Sequence, residues 1–146
     1  MRFNALFIAL CLLASHAQAA CRQALIFALD VSSSVDQAEY ALQMRGLAGA
    51  LLDVDVQALL LSQPSAPISL SVFEWSGRFD QRLVLDWRSI EDRADLLAIA
   101  AVLAAQKRPE TTRPTAIGHA LKYAGQRLQQ SKCWQLTVDI SGDGKN

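Results

Sequence analysis

Asp30, Ser32 and Ser34 stand in a D-x-S-x-S pattern at the end of the apolar run Ala24–Leu29. One carboxylate and two hydroxyls are hard oxygen ligands. They suit Mg²⁺ or Mn²⁺ better than zinc or copper. The run before them has the length and composition of a buried parallel strand. The residues after Ser34 read as a helix. The three oxygens therefore fall on a strand-to-helix turn, where open α/β folds place their sites.

Other chemistries lack their parts. A strand ending in an acid is also found in haloacid-dehalogenase-like phosphatases, but these need a second Asp two residues later. Ser32 occupies that place. A nucleophile there would have no general acid. No glycine-rich dinucleotide turn follows the first strand, and the GDGKN ending lacks phosphate-loop spacing. His119 has no G-x-S-x-G elbow to serve, and no His/Cys cluster suggests zinc.

The elements that must position the site alternate along 146 residues, of which 51% are hydrophobic. That is enough for one domain with a core. Ser34-Val35-Asp36-Gln37 reads as a capping box opening a helix with Leu42, Leu47, Leu51 and Leu52 on its stripe. A short helix is expected over Val54–Leu61, then a loop at Ser62–Pro67. Ile68–Trp75 alternates as a strand with Ile68, Leu70 and Val72 on one face. A turn at Ser76-Gly77-Arg78 leads to a second strand, Phe79–Trp87, so the pair forms a hairpin. Ser89, with Asp92 three later, is expected to cap a helix running to Ala105. A further helix over Thr115–Gln130 and a strand over Trp134–Ile140 complete the pattern. Trp75, Trp87 and Trp134 border strands and read as packing residues.

The first nineteen residues read as a cleavable signal peptide. Arg2 is the positive end, Ala5–Leu13 the apolar stretch and Ala17-Gln18-Ala19 the cleavage site. The stretch is short for a membrane span, so no stable membrane anchor is expected. The mature domain is residues 20–146, in the periplasm or secreted. Net charge is zero, and no basic stripe appears, which argues against nucleic acid. Cys11 leaves with the leader. Cys21 and Cys133 then remain as one disulfide of an oxidising compartment, or as two separate buried thiols.

Three segments together carry a family resemblance: DVSSS after the first strand, PTAIGHAL opening a later helix, and DISGDG ending a later strand. In this order they resemble the von Willebrand factor A domain. With VFEWSG and ISGDGKN, the chain is most similar to a bacterial group of secreted A-domain proteins of unknown function. The resemblance implies a doubly wound α/β fold. Its sheet is mainly parallel, with one antiparallel edge strand and strand order 3-2-1-4-5-6. It also implies a metal-ion-dependent adhesion site. Ser32 and Ser34 match serines that bind the metal, Thr115 the threonine of the second loop, and Asp30 and Asp143 the two aspartates. The cofactor implied is Mg²⁺ or Mn²⁺, and the partner is a protein supplying an acidic side chain, with no small-molecule cofactor. Each residue also has a plainer role: Ser34 and Thr115 as helix caps, Asp143 as a turn residue, Asp30 as an acceptor for strand-end amides. Glu74 and Asp139 are possible supports around the site. Solvated exposure is the alternative for Glu74, and a structural hydrogen bond for Asp139. Against the family pattern the chain ends before a fifth strand, so it is expected to be an incomplete, C-terminally truncated domain with its last strand at an open edge. Two other functions are compatible with these residues: a periplasmic hydrolase using the cation to activate water, and a structural protein with a vestigial site.

Overall fold

The computed structural model describes residues 21–110 and 114–142. The leader with its cleavage site, and Asp143, lie outside the described residues. The elements run β1 (Gln23–Asp30), α1 (Gln37–Leu52), α2 (Val54–Leu60), β2 (Ile68–Trp75), β3 (Gln81–Ile90), α3 (Arg93–Ala104), α4 (Ile117–Leu128) and β4 (Gln135–Ile140). Among the described residues the strands form one sheet in the order β3-β2-β1-β4. β1 lies parallel to β2 and to β4, with Gln23 opposite both Ile68 and Gln135. β2 and β3 are antiparallel, and their register shifts on either side of Val72. The sheet is thus mainly parallel with one antiparallel edge strand, as the resemblance implies.

Strand alternation sends side chains to two cores, one on each face. On one face Leu29, Ile68, Leu70 and Val72 meet Tyr40, Met44, Ala48 and Leu51 of α1 and Leu96, Ile99 and Leu103 of α3. On the other, Ala24, Ile26, Ala28, Phe73 and Trp75 meet Ala120, Ala124 and Leu128 of α4. Alanine on both sides of the α4 contact leaves little side chain between helix and strand, so the two approach closely. Burying side chains such as Leu96, Ile99 and Leu103 fully stabilises by roughly 1.5–3 kcal/mol each before chain entropy is subtracted. Burial on both faces explains why β1 is continuously apolar from Ala24 to Leu29.

Local chemistry corrects several boundaries. Asp36, not Ser34, caps α1. Its carboxylate accepts from the amides of Ala38 and Glu39, and Glu39 accepts from the Asp36 amide at 2.8 Å. A carboxylate at the N-cap also faces the positive end of the helix dipole. Asp92 caps α3 by accepting from Asp95 at 3.0 Å, and Ser89 sits inside β3. The second hairpin strand begins at Gln81 and runs on to Ile90, because Phe79 and Asp80 belong to the turn. α4 starts two residues after Thr115. Its N-cap is Ala116, which makes no side-chain cap bond. Neither Ser34 nor Thr115, each expected as a possible cap, is the N-cap residue of its helix.

Cys21 and Cys133 are disulfide-bonded. They precede β1 and β4 at the same end of the sheet, beside backbone bonds from Trp134 to Cys21 and from Gln135 to Arg22, both 3.0 Å. The alternative of two separate thiols is excluded. Trp75 is buried, whereas Trp134 is 70% exposed and does not pack. His119 is exposed on α4.

Candidate metal centre

The opposite end of the sheet carries the site. Asp30 is the last residue of β1 and is 1% exposed. Its Oδ1 accepts from the Ser32 amide at 2.7 Å, a local turn that aims the carboxylate along the chain reversal. Its Oδ2 is buried and has no hydrogen-bond partner among the described residues. A buried carboxylate oxygen left in this way costs free energy unless something outside the described side chains satisfies it. A Cβ on Gly142 would stand 3.6 Å from this oxygen and from the Trp75 ring. A side chain there would pack directly against Oδ2 and the Trp75 ring.

The hydroxyls gather beside it. Ser32 is fully buried. Its Oγ lies 3.1 Å from Ser34 Oγ and accepts from Thr115 Oγ1 at 3.3 Å. Ser34 is exposed and Thr115 half-buried, so the group opens to solvent on one side. Arg108 donates to the Ser32 carbonyl at 3.1 Å and holds the turn from the α3–α4 connection. Two sequence-distant loops are brought together by the parallel β1 strand and the α4 packing. Next to them a cavity of about 250 Å³ is lined by Asp30, Val35, Glu39, Gln43, Ser141 and Gly142.

Glu74 and Asp139 take other positions. Glu74 is 1% exposed, which excludes the solvated alternative. It accepts from Tyr40 Oη at 2.6 Å and Arg82 Nε at 2.8 Å. Both partners lie outside the hydroxyl cluster, so its role is to hold α1 and β3 against β2. Burial first, and then the Glu74 carboxylate, push the Tyr40 hydroxyl pKa well above the ordinary tyrosine value. Asp139 is exposed on β4, so its carboxylate stays hydrated and needs no buried partner. Gln43 and Ser141, to which the sequence reading gave no role, both bond Asp30. A glutamine mid-helix carries no motif that would mark it.

These donors fit a small divalent cation. They are one carboxylate and three hydroxyls, all hard oxygens. Among the described residues no group of three or more His, Cys, Asp and Glu side chains is assembled that would favour another metal. Neighbouring ligands on an octahedron with Mg–O of about 2.1 Å stand about 3 Å apart. The spacings of 3.1 and 3.3 Å between the hydroxyls match that edge. Asp143, the second carboxylate of the expected set, follows Gly142 in the sequence.

The profile of the family described as Protein of unknown function (DUF1194) matches residues 20–146. Solved structures share the fold. The pilus adhesin SpaC from Lactobacillus rhamnosus GG, in its open conformation, superposes with a TM-score of 0.55 at 10% identity. The match covers 83% of this chain and 15% of that one. The vWF domain of the type V pili tip protein Mfa5 from Porphyromonas gingivalis superposes with a TM-score of 0.53 at 15% identity. Here 86% of this chain and 38% of that one are covered. The chain thus spans well under half the length of either. No curated protein matches it. At these identities the likeness establishes a von Willebrand factor A-like fold.

Proposed function

This chain belongs to the DUF1194 family, and we propose that it is an extracellular or periplasmic protein-binding domain of the adhesion type whose binding depends on Mg²⁺ or Mn²⁺. Asp30, Ser32, Ser34 and Thr115 would hold the cation together with Asp143. The cation supplies a Lewis-acidic position that an acidic side chain of a partner protein completes. The observation that carries the reading is the gathering of three hydroxyls, 3.1 and 3.3 Å apart, beside a buried Asp30 whose Oδ2 is unpartnered among the described residues.

Neutral hydroxyls are the reason such a site would bind outward. With at most two carboxylates on it, a divalent cation keeps an appetite for one more anionic oxygen. Mg²⁺ holds waters readily, which a partner carboxylate can replace. The exposed Ser34 leaves that carboxylate a way in from solvent. Two of the similar folds come from pilus proteins, one an adhesin and the other a tip protein, which supports an adhesive role. The leader-like first nineteen residues and the Cys21–Cys133 bond support export to an oxidising compartment.

Calorimetric titration of Mn²⁺ into the protein tests the site. Weak saturable binding is expected, abolished by Asp30→Ala and by Asp143→Ala. A glutamate-bearing peptide should then bind in Mn²⁺ and not in EDTA. Unchanged cation affinity in both variants would remove the assignment. Cation binding without any carboxylate dependence would leave a metal site and remove the adhesive role.

A further inference from the structure

Asp30 is held at its backbone as well as at its carboxylate. β4 ends at Ile140, so the edge of β1 facing it runs out of ladder partners at Asp30. Unpaired amide and carbonyl groups at a buried position are costly. Two side chains take the place of the missing strand. The Asp30 amide donates to Ser141 Oγ at 3.0 Å. The Ser141 hydroxyl donates to Gln43 Oε1 at 2.7 Å. Gln43 Nε2 donates to the Asp30 carbonyl at 3.2 Å. The ring closes on a single residue, bonding the peptide groups on both sides of the Asp30 Cα, and joins three elements: the end of β1, the middle of α1 and the segment leaving β4.

We infer that Gln43, acting with Ser141, is a positioning residue for the cation site. This rests on the metal reading of the preceding subsection. Gln43 offers a donor and an acceptor on one planar group, and the ring uses both. The ring fixes the backbone of Asp30. It therefore fixes the direction of a carboxylate whose Oδ1 is already committed to Ser32. It also ties Ser141, two residues before Asp143, to the same point. The ordering is made before any cation arrives, so binding does not have to supply it.

Four variants separate this role from general support. Gln43→Leu keeps the bulk and removes both bonds. Ser141→Ala removes the hydroxyl, and Ser141→Thr keeps it. Leu51→Val loosens the core contact of α1 without touching the ring. Mn²⁺ affinity is read by calorimetry, and amide exchange at Asp30 is read in cation-free protein. Gln43→Leu and Ser141→Ala should weaken Mn²⁺ about tenfold, the usual scale for a residue that orients a ligand. Both should speed exchange at Asp30 and leave the β2–β3 pairing protected. Ser141→Thr and Leu51→Val should retain parental affinity. If Leu51→Val weakens Mn²⁺ as much as Gln43→Leu, the effect is loosening of the helix and the inference fails. If the parent binds Mn²⁺ and Gln43→Leu binds it equally well, the inference alone fails. If the parent binds no Mn²⁺, the metal reading falls and takes this one with it. Should Gln43→Leu not fold, Gln43→Met carries the same comparison.

Discussion

Removing the Cys21–Cys133 bond should cost this protein a large share of its stability. The bonded residues are 112 positions apart. The chain-entropy expression for a loop of that length gives about 16 cal/mol/K, or about 5 kcal/mol at room temperature. Strain in the folded state would lower that figure. The backbone bonds from Trp134 to Cys21 and from Gln135 to Arg22 already hold the strand ends together, so the disulfide demands no separate closure. A compact unfolded ensemble lowers it further. A loss of about 3–5 kcal/mol is expected, against a total of about 5–15 kcal/mol for a domain. The assay is urea unfolding of the oxidised protein and of the double variant Cys21→Ala/Cys133→Ala. The midpoint should fall sharply. The dependence on urea should steepen, because the uncrosslinked chain exposes more surface when unfolded. A difference below about 1 kcal/mol with an unchanged slope would refute the argument that the bond acts on the unfolded chain.

The buried Glu74 gives an asymmetric pair of variants. Arg82→Ala strands a carboxylate whose side chain is wholly inaccessible and should cost about 2–4 kcal/mol, reduced from the fully buried case because Arg82 is half exposed. Glu74→Gln keeps the acceptor for Tyr40 and releases Arg82 to water, so it should cost about 1 kcal/mol. Equal losses in urea unfolding would contradict this. Tyr40 sets an alkaline limit. Its folded pKa is raised, so its contribution is complete below the unfolded value of about 10 and is lost as pH rises through the folded one. Between those limits stability should fall by about 1.4 kcal/mol per pH unit from this group. Tyr40→Phe should remove that component of the slope, and an identical slope in the variant would show that Tyr40 does not hold its proton.

Much of the frame was legible in the sequence, because its period and punctuation are local properties. Ile68–Trp75 is found as a strand with the boundaries its alternation and flanking turn signals mark, and the apolar run before Asp30 is the buried parallel strand it resembles. The oxygen-bearing pattern at its end and the cysteine pair could be read from residue types and order, and the mainly parallel sheet from the family resemblance. Helix starts were less legible. Ser34 and Asp36 are both good caps, and only the backbone conformation decides between them, which gave α1 to Asp36. Ser89 was a cap by type, but β3 continued through it because pairing with Ser69 extends the ladder that far.

What tertiary structure alone decided is which groups meet. Thr115 lies 83 positions from Ser32, and its hydroxyl reaches Ser32 because α4 packs its alanines on β1. Glu74 is an acid near a strand end, a residue type that is mostly exposed and fully buried only when paired. Tyr40 from α1 and Arg82 from β3 make it buried and satisfied. Asp139 alternates with core residues, but it stands on the outer strand of the described sheet and stays exposed. Gln43 is an unremarked helix residue until the end of β4 leaves the Asp30 backbone short of a partner. Residue type and spacing determine local conformation and the chemistry on offer. Long-range pairing and packing determine which of that chemistry is desolvated, oriented and brought within bonding distance.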